Sequence, residues 1–68
     1  MKIYVLKFRE SGEDYRVALF KSNEEARDSA HHFLLECVGG ETGTTLEDIE
    51  QHCFENDIAY VEIECHEI

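Results

Sequence analysis

The chain predicts an α+β domain: a three-stranded, mostly antiparallel sheet with one face covered by two helices, in the order β-β-α-α-β. Three observations predict it. Residues 57–66 alternate apolar and polar, so that Ala59, Val61, Ile63 and Cys65 fall on one side and Tyr60, Glu62, Glu64 and His66 on the other. That alternation marks a half-buried strand, because successive strand side chains point to opposite faces. Near the start, Tyr4, Leu6 and Phe8 alternate with Ile3, Val5, Lys7 and Arg9, and a second such run follows Gly12. Between these early strands and the late one, apolar residues recur at helical rather than strand spacing. A strand last in the order needs an earlier strand to pair with and a cover for its apolar face, and the preceding segments supply both.

Lys2 to Glu10 is the first predicted strand and Tyr15 to Lys21 the second. Ser11-Gly12-Glu13-Asp14 between them is a turn, with Gly12 free to take the positive φ of a tight reversal. Such a hairpin is marginal alone in water and requires a third strand and a covering helix. Ser22-Asn23-Glu24-Glu25 is a helix start, since the Ser22 hydroxyl can accept from the backbone N–H three residues on. Ala26, Ala30, Phe33, Leu34 and Cys37 follow at spacings of four, three, one and three, which is one stripe. Gly39-Gly40 ends this helix through the left-handed conformation that glycine takes cheaply. After Glu41-Thr42-Gly43, Thr44 or Thr45 caps a second helix, with Leu46, Ile49, Cys53 and Phe54 as its shorter apolar stripe and acidic residues in its first turn. Glu55-Asn56-Asp57 turns the chain into the last strand. The expected organisation is a single domain over residues 1–68.

A chain of 68 residues buries only roughly 60% of the surface it exposes when unfolded. So small a core leaves little depth for a pocket, and the expectation is a protein that acts with its surface and is not an enzyme. A hydrophobic content of 43% is that of a folded domain despite the heavy charge. Six Lys and Arg against 16 Asp and Glu give a formal net charge of −10, which argues against direct contact with nucleic acid or an anionic membrane and for a partner with a basic surface. Every Lys and Arg lies at or before Arg27, where Glu10, Glu13, Asp14, Glu24 and Glu25 nearly cancel them. From Asp28 onward every charged residue is acidic. The chain is electrically two-sided.

Three cysteines, Cys37, Cys53 and Cys65, form no close pair, and the start carries no long apolar run, so a reduced, cytoplasmic setting is expected with each thiol a small core residue. His31, His32, His52 and His66 with these cysteines invite a metal reading. Zinc asks for four converging ligands at Cys-x2-4-Cys or His-x3-5-His spacing, and neither occurs. His32 and Glu36 lie one helical turn apart, which is the best pair available. No cofactor is expected. A Cys–His nucleophile would need an electropositive, exposed thiol, whereas all three cysteines sit on predicted apolar faces in a region without cations. Gly39-Gly40 and Gly43 lack the lysine of a phosphate loop.

The acidic tract is the feature that points to function. Glu41, Glu47, Asp48, Glu50, Glu55 and Asp57 lie on and around the second helix, and Glu62, Glu64 and Glu67 on the last strand. Stiffly held carboxylates can replace a phosphate backbone in a Lys/Arg-lined groove, with salt-sensitive association. The competing explanation is a surface that is merely well solvated. The strand hairpin, the helix start Ser22-Asn23-Glu24-Glu25-Ala26-Arg27-Asp28-Ser29-Ala30 and the late strand together resemble the layout of very small phage-encoded inhibitors, among them anti-CRISPR proteins and the phage inhibitor of bacterial RNA polymerase. The second helix departs from the simplest form of that layout. The resemblance implies a class only: a non-enzymatic protein that blocks a larger machine by occupying its surface. Two other readings stand beside it. One is an assembly module that forms a homodimer through the open sheet face, which carries Lys7, Arg9, Glu62 and Glu64 if Tyr4, Leu6 and Phe8 turn inward; the other is a small metal-binding protein using His31, His32, His52 or His66.

Overall fold

The computed structural model describes residues 1–39 and 44–68. The chain runs β1 (Lys2–Glu10), β2 (Arg16–Phe20), α1 (Asn23–Cys37), α2 (Leu46–Glu55) and β3 (Ala59–Glu67). The predicted β-β-α-α-β order is the observed one, and the sheet is antiparallel throughout, ordered β2-β1-β3. The hairpin therefore places its first strand in the centre, and the last strand closes on that strand's free side.

Local chemistry accounts for each boundary. Gly12 sits at φ 83° in the hairpin turn, where Glu13 N–H donates to Glu10 C=O at 3.1 Å. The Ser22 hydroxyl accepts from Glu25 N–H at 3.1 Å, and Thr45, rather than Thr44, accepts from Asp48 N–H at 3.2 Å. These bonds satisfy helix donors that have no partner within the helix. Gly39 takes φ 95° after α1; Gly40 and Glu41 lie outside the described residues. Asp57 takes φ 53° after α2, a conformation that Asp tolerates better than most residues.

The helices cover one face of the sheet. Leu6, Ala30, Leu34, Leu46, Ile49, Cys53 and Ala59 form one buried cluster, with Phe8, Phe33, Val61 and Ile63 packed against it. Phe8 and Phe33 meet edge to face at 5.0 Å between ring centroids. Both helical stripes expected from spacing turn inward apart from Phe54, and the expected inward side of β3 does so apart from Cys65. Phe54 is 67% exposed, because Leu46, Ile49 and Cys53 set the face of α2 that meets the core and Phe54 lies off it, in the row of Glu47 and Glu50. Cys65 is exposed rather than buried. It shares the covered face with its partner Tyr4, but lies beyond Ile63, the last β3 residue packed on the core, so the cover runs out before the strand does.

Thiol chemistry should follow this layout. Burial, and next the nearby Glu10 carboxylate to which its Sγ donates at 3.6 Å, push the Cys37 thiol up to about 11, and burial raises Cys53 as well. An alkylating reagent at neutral pH is expected to modify Cys65 first, and Cys37 and Cys53 only as the chain unfolds. Equal labelling of all three in the folded protein, read by mass spectrometry, would contradict this packing.

Candidate functional site

Residues directly opposite in the ladders share a face, so Ile3, Val5, Lys7 and Arg9 lie with Val17, Leu19, Tyr60, Glu62, Glu64 and His66 on the side away from the helices. Val17 is 59% and Leu19 66% exposed. The two cations here behave differently. Lys7 Nζ reaches Glu64 diagonally at 3.3 Å although Glu62 is its direct partner. Arg9 pairs with no carboxylate among the described residues; its guanidinium lies 4.3 Å from the Tyr60 ring centroid and 5.1 Å from that of Tyr15.

Tyr60 links this face to the second helix. Its ring meets Phe54 edge to face at 5.9 Å, and its hydroxyl donates to Asp57 in the turn between α2 and β3. Phe54 and Tyr60, with Glu47, Glu50, Gln51, Ala59 and Val61, line a groove of about 300 Å³ between α2 and β3. Glu47, Glu50 and Phe54 follow one another at spacings of three and four, which puts two carboxylates and an aromatic ring in one row along the helix. Gln51 also lines the groove, and its amide donates to Glu55 at 2.9 Å.

The structure divides the predicted acidic residues. It brings Glu47 and Glu50 to the groove, holds Asp57 beside it through Tyr60, and leaves Glu62 and Glu64 on the open side of the same strand. Asp48 points the other way, into a second depression lined by Val38, Thr44, Ile49 and His52. Glu41 lies outside the described residues. The carboxylates thus flank β3 on both sides rather than forming one flat flank. Some are compensated internally: Glu47 pairs with Arg27 and Glu64 with Lys7, while His66 Nε2 lies 3.4 Å from Glu64. Asp48, Glu50 and Glu62 carry no ion pair among the described residues.

These contacts hold three carboxyls below the usual range. Arg27's hydrogen bond lowers Glu47, the bonds from His66 and then Lys7 lower Glu64, and the Tyr60 hydroxyl, then Ser11, lower Asp57. The same Asp57 contact raises Tyr60. A carboxyl depressed on folding adds stability that is fully present above its ordinary value, 4.5 for Glu47 and Glu64, and lost as pH falls through the lower folded value. The urea midpoint is therefore expected to decline in acid below pH 4.5, and to decline less in Glu47→Gln; an identical decline in both would contradict the Arg27 contact.

The histidines do not converge. His31 is half-buried with an Nε2 that has no hydrogen-bond partner among the described residues, His32 pairs with Glu36 at 3.1 Å, His52 is exposed and His66 sits by Glu64. Among the described residues no group of three or more His, Cys, Asp or Glu could hold a metal ion, and no helix is long and apolar enough to cross a membrane.

Sequence reasoning missed Phe54 and Gln51 as site residues and placed Tyr60 only on the open sheet face. The signal for Phe54 was present, since Leu46, Ile49 and Cys53 already fill the inward stripe and leave Phe54 in the Glu47-Glu50 row. No protein-family model, curated protein or solved structure matches the chain.

Proposed function

We propose that the chain is a non-catalytic binding protein that occupies a basic, nucleic-acid-binding surface of a larger protein and so inhibits it. One observation carries this reading: exposed Phe54 stands in a single helix row with Glu47 and Glu50 at a groove beside β3. An aromatic side chain with carboxylates along the same helix row suits an incoming Arg, whose planar cation stacks on rings and pairs with carboxylates. Aromatic anchors at the centre of a contact commonly carry most of its energy, and surrounding charge sets orientation and encounter rate. The net charge of −10 steers the chain toward cationic partners and away from the nucleic acid they hold.

The test is capture from a bacterial lysate on the immobilised chain at low salt, followed by elution with double-stranded DNA. The expected eluate is a nucleic-acid-binding protein displaced by DNA and by salt. Retention that ignores both would overturn the reading.

The open sheet face supports a second reading, a homodimer through exposed Val17 and Leu19 with half-exposed Tyr15. Sedimentation decides it, since a strict monomer at high concentration removes the dimer.

A further inference from the structure

The bare edge of β3 has a definite hydrogen-bonding phase. Ser11 N–H donates to Ile58 C=O at 3.0 Å and Ile68 N–H to Met1 C=O at 2.7 Å, and both pairs continue the β1–β3 register. In an antiparallel ladder, hydrogen-bonded and non-bonded pairs alternate. Residues 60, 62, 64 and 66 therefore bond to β1, and Ala59, Val61, Ile63, Cys65 and Glu67 aim their N–H and C=O groups away from the sheet. Ala59 is buried. The other four are half-buried or exposed, and among the described residues they make no backbone bond outside the sheet.

We infer that this edge accepts an extended, basic segment of the partner as a fourth strand, hydrogen-bonded to Val61, Ile63, Cys65 and Glu67, with an Arg or Lys side chain seated in the groove between α2 and β3. The inference rests on the reading proposed above and specifies how the acidic surface is engaged. An unpaired strand edge is a ready template for another chain, and main-chain bonds then supply affinity while pockets for alternate side chains supply specificity. The charge selects the occupant. Side chains of an added strand alternate between faces; on the helix side they meet Glu47 and Glu50, and on the open side Glu62 and Glu64. Cations are favoured on both faces. A second copy would bring its own acidic β3 against this edge, so like charges would meet there.

The experiment follows amide exchange and shifts of the labelled chain by NMR with three synthetic peptides about as long as β3: alternating Arg and Val, the same peptide with every backbone nitrogen methylated, and a version with Glu for Arg. The first should slow exchange at Val61, Ile63, Cys65 and Glu67 by about tenfold or more and leave Val17 and Leu19 on the opposite edge unchanged. The methylated peptide, unable to complete the ladder, should bind weakly, and the acidic one not at all. Equal binding of the methylated peptide, protection on β2, or no binding of the first peptide overturns strand addition. If Glu47→Lys with Glu50→Lys abolishes that equal binding, the acidic-surface reading survives the loss; if the double variant changes nothing, that reading fails too. Protection of the same four amides by self-association alone, seen as concentration-dependent sedimentation, would make a second copy the occupant and also overturn the proposal.

Discussion

Leu34→Ala is expected to leave most of the chain unfolded at physiological temperature. Leu34 is fully buried where α1 meets the sheet and α2, in the same cluster as Leu6, Ile49 and Cys53. Truncating such a side chain costs about 2–5 kcal/mol, the larger values where the surroundings cannot close over the cavity. A single core in a chain this short rarely supplies more than roughly 3–5 kcal/mol in total. The loss and the reserve are of the same size. Urea titration followed by circular dichroism measures it, with Phe54→Ala as the control. Phe54 is 67% exposed and stacks edge to face on Tyr60, so its loss should cost about 0.5–1.5 kcal/mol, less than the core truncation. A Leu34→Ala chain as stable as the parent would mean that the core is not where the two helices and the sheet converge.

Glu47→Lys with Glu50→Lys is expected to abolish partner binding without unfolding the chain. Both side chains are exposed, so the fold loses little beyond the Arg27–Glu47 pair, a surface contact of small worth. At the groove the change is large. Two carboxylates that would face an incoming cation become ammonium groups, and like charges brought together in an interface cost several kcal/mol, where each 1.4 kcal/mol is about tenfold in affinity. Asp48→Lys is the control for charge away from the groove, carrying half the charge change of the double variant on the other side of α2. It alters net charge but not the groove, and should weaken binding only a fewfold through steering. If Asp48→Lys is as damaging as the double variant, overall charge and not the groove is what the partner senses.

Much of this was legible beforehand, for reasons particular residues make plain. The alternation from Ala59 to His66, the Ser22 cap and the Leu46-Ile49-Cys53 stripe follow from spacing alone, because strand and helix periods are fixed by backbone geometry. Strand order was not legible. Nothing in β1 or β2 says which would take the central place, and only the register Leu6–Ile63 and Leu6–Ala18 shows that β1 serves both neighbours. The acidic residues were visible as a list but not as an arrangement. That Glu62 and Glu64 stand across β3 from Glu47 and Glu50, and that Asp48 turns away, depends on how α2 is rotated on the sheet, which the core residues decide. Cys65 shows the limit of periodicity, since alternation gives the face a residue occupies but not how far along a strand the helices reach.

The most direct test is the affinity of the chain for the captured, DNA-displaceable protein, measured by calorimetry as salt is raised. Contact through the carboxylates around the α2–β3 groove predicts a steep loss of affinity with salt for the parent chain and no measurable binding at any salt for Glu47→Lys with Glu50→Lys. An affinity that stays constant across the series, or survives the double charge reversal, would contradict it.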